Sequence, residues 1–318
     1  MRLPIAFATI GLPLAIATNA CVGDSPNTED AGAADGSTDE GADVAGDVAS
    51  DVTADGPTQG CNPKAAFGAP SQIQGLATGA SVFLSSSGLD AYFSATLDGG
   101  AGAADLYTAH RIDVQSPFGS ASGLTVLNSN VDDGSPTLTA DGLTIVFDSA
   151  RSGNNDIYSA GRSATTLPFG APVALAINTG AVEAQPFIRA DGQVLYYRLE
   201  VTGNNEIYRA TKGGVGFANP AAVAEINTTS SEISPVITPD DLTVFFASTR
   251  TDGQAKGGYD IWSATRQKNT DPFGAPTNIS ELNTTGNDVP TYVSGDGCTL
   301  YFDRSSPANV PFMATRGK

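Results

Sequence analysis

The stretch SPTLTADGLTIVFDSARSGNNDIYSAGR, residues 135–162, decides the fold, because a second copy of its plan, SPVITPDDLTVFFASTRTDGQAKGGYDIWSATR, occupies residues 234–266. Each copy begins with Ser-Pro, passes through a turn into an apolar run, and ends with an acidic, an aliphatic and an aromatic residue in series. Self-similarity at a fixed spacing is the signature of a repeat architecture. The two copies therefore indicate that this part of the chain is built from repeated structural units.

Three markers recur along the second part of the chain. The aromatic residue of the triplet recurs at intervals of 51, 50, 54 and 50 residues, at Tyr107, Tyr158, Tyr208, Trp262 and Phe312. A phenylalanine, usually followed by glycine, recurs as Phe118, Phe169, Phe217 and Phe273. An Asp-Gly pair precedes an apolar run at Asp141, Asp191 and Asp296. Asp-Gly between two apolar runs predicts a β-hairpin, because both residues tolerate positive φ.

Each unit of the repeat predicts four short antiparallel strands. In the unit quoted first we expect them at residues 136–139, 143–149, 156–161 and 172–177. Such units, with aromatic residues at a fixed phase and no helical spacing, are typical of propeller blades rather than of a sandwich. The sequence therefore predicts an all-β fold, a five-bladed β-propeller over residues 61–318. We interpret the recurring prolines as the starts of the first strands; they are Pro136, Pro186, Pro235 and Pro290.

The two ends of the repeat region predict how the ring closes. The last unit stops at Arg316, before its fourth strand, whereas a fourth-strand pattern stands alone at residues 67–76. We expect this N-terminal strand to complete the last blade, so that the two open edges pair with each other. Cys61 and Cys298 would then form a disulfide in an oxidising compartment. Closing a loop of this length stabilises a fold by about 4 to 5 kcal/mol.

Residues 1–20 have the layout of a secretory signal peptide, with Arg2 followed by an apolar run. The small residue before Cys21 resembles the lipobox of bacterial lipoproteins, in which the cysteine is lipidated. Plain cleavage after Ala20, which would leave a thiol, is the alternative. Val22 favours the outer membrane, with the protein facing the periplasm or the cell surface.

The chain has 16 Lys plus Arg against 34 Asp plus Glu, a formal charge of -18. This balance argues against nucleic acid as a partner, since a phosphate backbone requires a basic surface. Ten of the acidic residues lie between Gly23 and Gly60, which contains no basic and no aromatic residue. Such a segment cannot bury enough apolar surface to fold, so residues 21–60 are expected to be a disordered acidic tether.

The repeat units resemble a known family. Their pattern Pro-x-x-x-x-Asp-Gly-x-x-x-x-Phe, followed by Asp-Ile-Tyr-x-Ala, is similar to the WD-like β-propeller repeats of the TolB type, above all in residues 135–162 and 234–266. That family usually has six blades, so a six-bladed plan is the alternative to five. The resemblance implies a non-enzymatic binding or scaffolding platform in the cell envelope. It carries over no partner, because the matching residues belong to the blade scaffold.

Acidic side chains recur in phase ahead of the blade prolines, at Asp133, Glu183 and Glu232, with Asn287 and Asp288 at the corresponding place in the last unit. Their position predicts a ring at one mouth of the central channel that could bind a cation, a basic ligand or a sugar. The alternative is that each carboxylate accepts backbone N–H bonds within its own inter-blade turn. A second acidic series is expected to order loops, with Arg151 or Arg250 as partner; it comprises Asp105, Asp156, Glu206 and Asp260.

We expect no catalytic residue, no metal and no cofactor. His110, the single histidine, occupies a position that other units fill with Gly161, Thr211, Thr265 and Thr315, which marks a scaffold position. Five-bladed propellers include glycoside hydrolases with paired carboxylates, so a glycoside hydrolase or a carbohydrate-binding protein is the alternative function. The expected partner is an envelope protein or a glycan, bound by a monomer that meets the membrane only through a lipid anchor.

Overall fold

The computed structural model describes residues 60–76, 80–305 and 309–317, which form five four-stranded antiparallel sheets in a ring. Blade 1 contains β2 (Ala80–Leu84), β3 (Asp90–Ala95), β4 (Asp105–His110) and β5 (Ser122–Gly123). Blade 2 contains β6 (Asp133–Leu138), β7 (Thr144–Ser149), β8 (Asp156–Gly161) and β9 (Val173–Ala174). Blade 3 contains β10 (Glu183–Ile188), β11 (Val194–Val201), β12 (Asn204–Gly213) and β13 (Gly216–Ala222).

Blade 4 contains β14 (Glu232–Ile237), β15 (Thr243–Ser248), β16 (Asp260–Thr265) and β17 (Thr277–Asn278). Blade 5 contains β18 (Asn287–Val293), β19 (Thr299–Ser305), β20 (Asn309–Thr315) and the N-terminal β1 (Ser71–Gln72). The five-bladed propeller predicted from the sequence is thus confirmed. In the described part of the chain there is no helix that could cross a membrane. The expected signal peptide, Cys21 and nearly all of the tether lie outside the described residues.

The core of the ring lies between the blades, where their second strands supply most of the large buried side chains. Fully buried aromatic residues come from β7, β11, β15 and β19; they are Phe147, Tyr196, Tyr197, Phe245, Phe246 and Phe302. Fully burying one such side chain contributes about 1.5 to 3 kcal/mol. The aromatic marker of the third strands packs on this layer, as the stacked rings of Phe147 and Tyr158 show, with centroids 6.1 Å apart.

The turns between the first and second strands form as the Asp-Gly pairs predict. In blade 2, Gly142 has a φ of 67° and Asp141 Oδ1 accepts the Leu143 N–H at 2.9 Å. Blade 4 carries Asp241 where the other blades have glycine, and it adopts a φ of 58°. Aspartate is one of the few residues that tolerate this left-handed conformation. Ion pairs of 2.9 and 2.6 Å to Arg189 and Arg266 hold Asp241 in place.

The N-terminal strand closes the ring, as predicted. β1 pairs with β20, with Ser71 opposite Met313 and Gln72 opposite Phe312, and an isolated bridge joins Phe67 to Arg316. A disulfide links Cys61 to Cys298, whose Cα atoms lie 5.7 Å apart. Both edges that an open ring would expose are therefore paired within the chain.

The recurring phenylalanine packs against an arginine of the third strand's end in four of the five blades. In four blades an arginine that follows the third strand lies over the phenylalanine ring, with 4.2 to 4.6 Å from guanidinium carbon to ring centroid. The pairs are Arg111–Phe118, Arg162–Phe169, Arg266–Phe273 and Arg316–Phe67. Since Phe67 comes from the N-terminal segment, the same contact spans the closure of the ring.

The blade prolines do not start the first strands, so that interpretation is wrong. Pro136 is the fourth residue of β6 and lies in a β-bulge, because the register between β6 and β7 shifts between Gly134 and Thr137. The residue before it, Ser135, has a φ of 49°, and Gln185 and Ser234 repeat this conformation before their prolines. Proline fits there because the bulge interrupts the ladder of an innermost strand.

Candidate functional site

Two faces of the ring are distinguished by the direction of the innermost strands. We call the face where these strands begin the upper face, and the face with the turns between the first and second strands the lower face. The sequence-predicted acidic ring belongs to the upper face, since β6, β10 and β14 begin at Asp133, Glu183 and Glu232, and Asp288 is the second residue of β18.

The four predicted acidic side chains are fully buried and bonded within the protein. Each accepts hydrogen bonds from a serine or threonine four residues earlier in the chain. Asp133 Oδ2 accepts the N–H of Ser129 at 2.6 Å and its hydroxyl at 2.8 Å, and Glu232 is bonded in the same way to Thr228. The corresponding donors to Glu183 and Asp288 are Thr179 and Thr284.

Three of these four acidic residues also form an ion pair with an arginine. The pairs are Arg151–Asp133 at 2.5 Å, Arg250–Glu232 at 3.1 Å and Arg304–Asp288 at 2.7 Å. The same guanidinium groups donate to the carbonyls of Leu127, Ile226 and Leu282 in the preceding loops. Arg151 and Arg250 therefore serve this acidic series and not the second one, contrary to the expectation. Binding of an external ligand by the four carboxylates stays a prediction.

An asparagine beside each of these loops fixes the neighbouring blade, and the sequence interpretation missed it. Asn128 Oδ1 accepts the Leu106 N–H at 2.9 Å, and its Nδ2 donates to the Leu106 carbonyl at 3.1 Å. The same two bonds recur at Asn178, Asn227 and Asn283. The signal is present in the sequence as Asn-Ser/Thr-x-x-x-Asp/Glu at the repeat spacing.

The second acidic series orders the hairpins of the upper face at two positions. Asp105 accepts the Gly102 N–H, and Asp260 accepts the N–H groups of Lys256 and Gly257 at 2.6 and 3.2 Å. Asp156 accepts a hydrogen bond from the Ser152 hydroxyl, but its Oδ1 is buried without a partner. Among the described residues, neither Asp156 nor Glu206 accepts a hairpin N–H bond, so the expectation holds for two of the four members.

The central channel is narrow at the level of the bulges. Bulge residues of all five blades, among them Ser81, Ser135, Gln185, Ser234 and Thr291, line a cavity of about 20 Å³. This volume has room for about one water molecule. A sugar ring therefore has no room at this depth of the channel.

Two acidic residues beside the channel break the repeat symmetry. Asp148 Oδ2 accepts the Gln185 N–H at 2.7 Å, and Asp303 Oδ2 accepts the Ser81 N–H at 2.6 Å, so each connects its blade to the next. Burial raises the pKa of Asp303 to about 7 and also raises the pKa of Asp148. The equivalent positions hold Ser94, Arg198 and Ala247 in the other blades.

An apolar cavity opens at the centre of the lower face. Its volume is about 100 Å³, and its floor is formed by Phe83, Phe187 and Tyr292 from blades 1, 3 and 5. The Phe83 ring centroid lies 4.6 Å from that of Tyr292 and 6.2 Å from that of Phe187, so these rings close the channel above the cavity. One apolar side chain from each blade completes the wall: Leu84, Leu138, Ile188, Ile237 and Val293. We call this cavity the cup.

Exposed carboxylates surround the cup, because the turns of the lower face carry the aspartates that the sequence marks as hairpin residues. They are Asp141, Asp191, Asp240 and Asp296. Hydrogen bonds from the Thr139 hydroxyl and the Leu143 N–H lower the pKa of Asp141. In Asp141, Asp240 and Asp296 these turn bonds involve only Oδ1, so Oδ2 makes no hydrogen bond within the described residues. Asp191 instead pairs with Arg189 at 2.7 Å.

The remaining candidates lie elsewhere. His110 ends β4, and its Nδ1 lies 2.8 Å from the carboxylate of Asp90 on the surface. The two residues lie opposite each other in the ladder, and the other blades have threonine or glycine at the position of His110. No group of three or more His, Cys, Asp or Glu side chains suited to a metal ion occurs among the residues that the structure describes.

Comparison with known proteins places the chain by fold. No protein-family model and no curated protein matches its sequence. TolB from Acinetobacter baumannii superposes with a TM-score of 0.48 at 14% identity, over 76% of this chain and 55% of that one, so the chain spans about half the length of that TolB. A candidate glycosidase from Bacteroides thetaiotaomicron gives a TM-score of 0.52 at 10% identity, over 81% and 93% of the two chains. At these identities the likeness concerns the fold alone, and the chain is a five-bladed β-propeller.

Proposed function

We propose that the protein is a non-catalytic binding module of the cell envelope, and that its cup receives an aliphatic or aromatic side chain flanked by lysine or arginine on a partner protein. The observation that carries this proposal is the apolar cup at the centre of the lower face, encircled by exposed carboxylates. A partner that fits this surface needs an apolar side chain for the cup and positive charges for the surrounding carboxylates. A basic segment with one apolar side chain has both.

The shape of the cup favours a side chain over a larger ligand. Its volume of about 100 Å³ is on the scale of the roughly 150 Å³ apolar cavities that take up benzene. Its rim is accessible, since Ser86, Ala140, Pro239 and Gly295 line it and are exposed. Burying one aliphatic or aromatic side chain there contributes about 1.5 to 3 kcal/mol.

The rim supplies selection by charge. In Asp141, Asp240 and Asp296, Oδ1 accepts the hydrogen bonds of the turn, which leaves Oδ2 for a partner. Complementary charge around an apolar anchor speeds association and rejects acidic partners. An acidic or neutral peptide with the same anchor is therefore expected to bind less well than a basic one.

The test is binding of a fluorescein-labelled Lys-Lys-Phe-Lys-Lys peptide, measured by fluorescence anisotropy at low salt. We expect saturable binding that weakens at least tenfold with Ala in place of Phe or Glu in place of Lys. The triple variant Asp141→Asn, Asp240→Asn, Asp296→Asn keeps the turn acceptors and is expected to lose at least tenfold in affinity. Ala190→Trp places a large ring at the cup and is expected to abolish binding.

The matched control removes three acidic charges away from the cup, with Asp98→Asn, Glu225→Gln and Asp252→Asn. All three residues are exposed, so the net charge changes equally without touching the cup. Peptide affinity within twofold of the parent protein is the expected result. Equal weakening in both triple variants would mean that the peptide follows net charge alone, and the proposed site would be rejected.

A glycoside hydrolase is the second candidate. Asp148 and Asp303, the two acidic residues that break the repeat symmetry, favour it because their raised pKa values suit a general acid. Their bonds to Gln185 and Ser81 and the narrow channel favour the binding module instead. Release of nitrophenol from nitrophenyl glycosides that is lost in both Asp148→Asn and Asp303→Asn would establish the hydrolase. No release from such substrates supports the binding module.

The envelope location rests on the disulfide and on the N-terminal sequence. The Cys61–Cys298 bridge fits an oxidising compartment outside the cytosol. We propose that Cys21 carries a lipid that holds the propeller at the outer membrane through the acidic tether. The protein would then present its cup to partners in the periplasm or at the cell surface.

A further inference from the structure

The buried acidic residues of the upper face are neutralised by arginine in three blades but not in blade 3. Glu183 lies opposite Leu199 in the ladder, whereas Asp133 and Glu232 lie opposite Ser149 and Ser248. Two residues after those serines come Arg151 and Arg250, which form the ion pairs. The equivalent residue of blade 3 is Val201. Glu183 therefore has full burial without the cation that its counterparts have.

Asp156, in the neighbouring blade 2, lacks the backbone donors of its own counterparts. Asp105 and Asp260 are capped by N–H groups of the long hairpins that precede them. The hairpin before Asp156 is shorter, and it supplies only the Ser152 hydroxyl. Asp156 is 8% exposed, and its Oδ1 has no hydrogen bond partner.

These two incomplete acidic groups meet between blades 2 and 3. The Glu183 N–H donates to the carbonyl of Asn155, the residue before Asp156, at 3.0 Å, so the two acidic residues are neighbours across the blade boundary, and their carboxylates cannot donate to each other when both are ionised. Burial, and then the nearby charge of Asp156, raise the pKa of Glu183, while bonds from Thr179 oppose the shift. An orphaned, buried carboxylate oxygen beside a second carboxylate calls for a positive partner.

We propose that Asp156 and Glu183 bind a calcium ion between blades 2 and 3, at the place that arginine fills in the other blades. Calcium prefers carboxylate, hydroxyl and water oxygens, with six to eight around the ion. Ser152 and Thr179, whose hydroxyls already contact the two carboxyls, are exposed on the upper face and give the ion a route from solvent. With two carboxylates, affinity in the range of about 10⁻⁴ to 10⁻³ M is expected, as in extracellular calcium modules.

The experiment is calorimetric titration of calcium chloride into the full protein after chelator treatment. One ion per chain is expected. At a hundred times the dissociation constant, calcium should raise the folded-to-unfolded ratio about a hundredfold, measured by urea unfolding. The double variant Asp156→Asn, Glu183→Gln should lose both effects, whereas Asp252→Asn, an exposed acidic residue of the same face, should retain them.

A second variant guards against misfolding of the first. Val201→Arg places a guanidinium where blades 2 and 4 have theirs, so it should fold without calcium and abolish calcium binding. If the parent protein binds no calcium, or if the double variant binds as the parent does, the proposal is overturned. Absence of calcium binding together with a stability that rises on acidification would show that a shared proton, and not a metal ion, neutralises the pair.

Discussion

At the residue scale, the same side chain serves different purposes according to the donors around it. Asp141 is exposed and accepts turn hydrogen bonds that favour its ionised form. Asp303 is buried, has one backbone donor, Ser81, and has a pKa raised to about 7. Sequence alone does not distinguish the two aspartates, and only the three-dimensional surroundings separate a surface anion from a buried group that favours its neutral form.

Asp303→Asn should remove one contribution to the pH dependence of stability. Because the folded pKa of about 7 exceeds the unfolded value near 3.9, Asp303 stabilises the protein fully below pH about 4. That contribution is lost as the pH rises through about 7. The free energy of unfolding of the variant, relative to the parent, should therefore increase by about 1.4 kcal/mol per pH unit in this window. Urea unfolding from pH 4 to 8 measures it, and a difference that stays constant would contradict the prediction.

Asp141→Asn is the matched control, with the opposite sign. Its folded pKa is lowered, so its contribution is present above the unfolded pKa near 4 and disappears as the pH falls through the folded value. The variant should be less stable than the parent near neutral pH, and the difference should vanish in acid. Two slopes of the same sign would show that general charge, not the local bonds, governs the titration.

At the scale of strands and turns, the sequence predicts most of the blade. Asp-Gly pairs, alternating apolar runs and recurring aromatics locate β7 and β8 to within a residue. The prolines were wrongly interpreted as strand starts, because a bulge in an innermost strand accepts proline as readily as a strand start does. The cup could not be predicted, since its wall takes a single side chain from each of five strands about 50 residues apart.

The closure of the ring makes a quantitative prediction. The disulfide joins residues separated by 237 positions, so removing it should destabilise the protein by about 4 to 5 kcal/mol through the restored freedom of the unfolded chain. The double variant Cys61→Ser, Cys298→Ser should show a lower urea midpoint than the oxidised parent. Adding reductant should lower the parent's midpoint to that of the variant and leave the variant unchanged. An unchanged midpoint in the variant would show that β1 pairing alone closes the ring.

At the scale of the whole molecule, the acidic residues fall into three groups: the N-terminal segment, the buried carboxylates of the upper face and the exposed carboxylates around the cup. Ten acidic residues lie in the N-terminal segment 23–60, and three of the four buried carboxylates at the starts of the innermost strands are paired with arginine. The exposed carboxylates around the cup are those that the proposed binding module would use. The acidic composition argues against nucleic acid as a partner, which stays a prediction, and it does not locate a binding site.

The lipid anchor is testable in cells that secrete the protein. Cys21→Ser removes the sulfur that the lipid requires, so the protein should move from the membrane fraction to the soluble fraction after osmotic lysis. Cys61→Ser removes a different cysteine and should leave the membrane association unchanged. Equal membrane association of the parent and the Cys21 variant would rule out lipidation as the anchor.

The central claim, that the cup is the binding site, is tested most directly by methyl NMR of the protein labelled at Ile, Leu and Val during titration with Lys-Lys-Phe-Lys-Lys. The account predicts the largest shift changes at Leu84, Leu138, Ile188, Ile237 and Val293, one methyl-bearing residue from each blade. Methyl groups distant from the cup, such as those of Val215 on its exposed hairpin, should stay unchanged. Shift changes confined to residues outside the cup, or none at saturating peptide, would contradict the account.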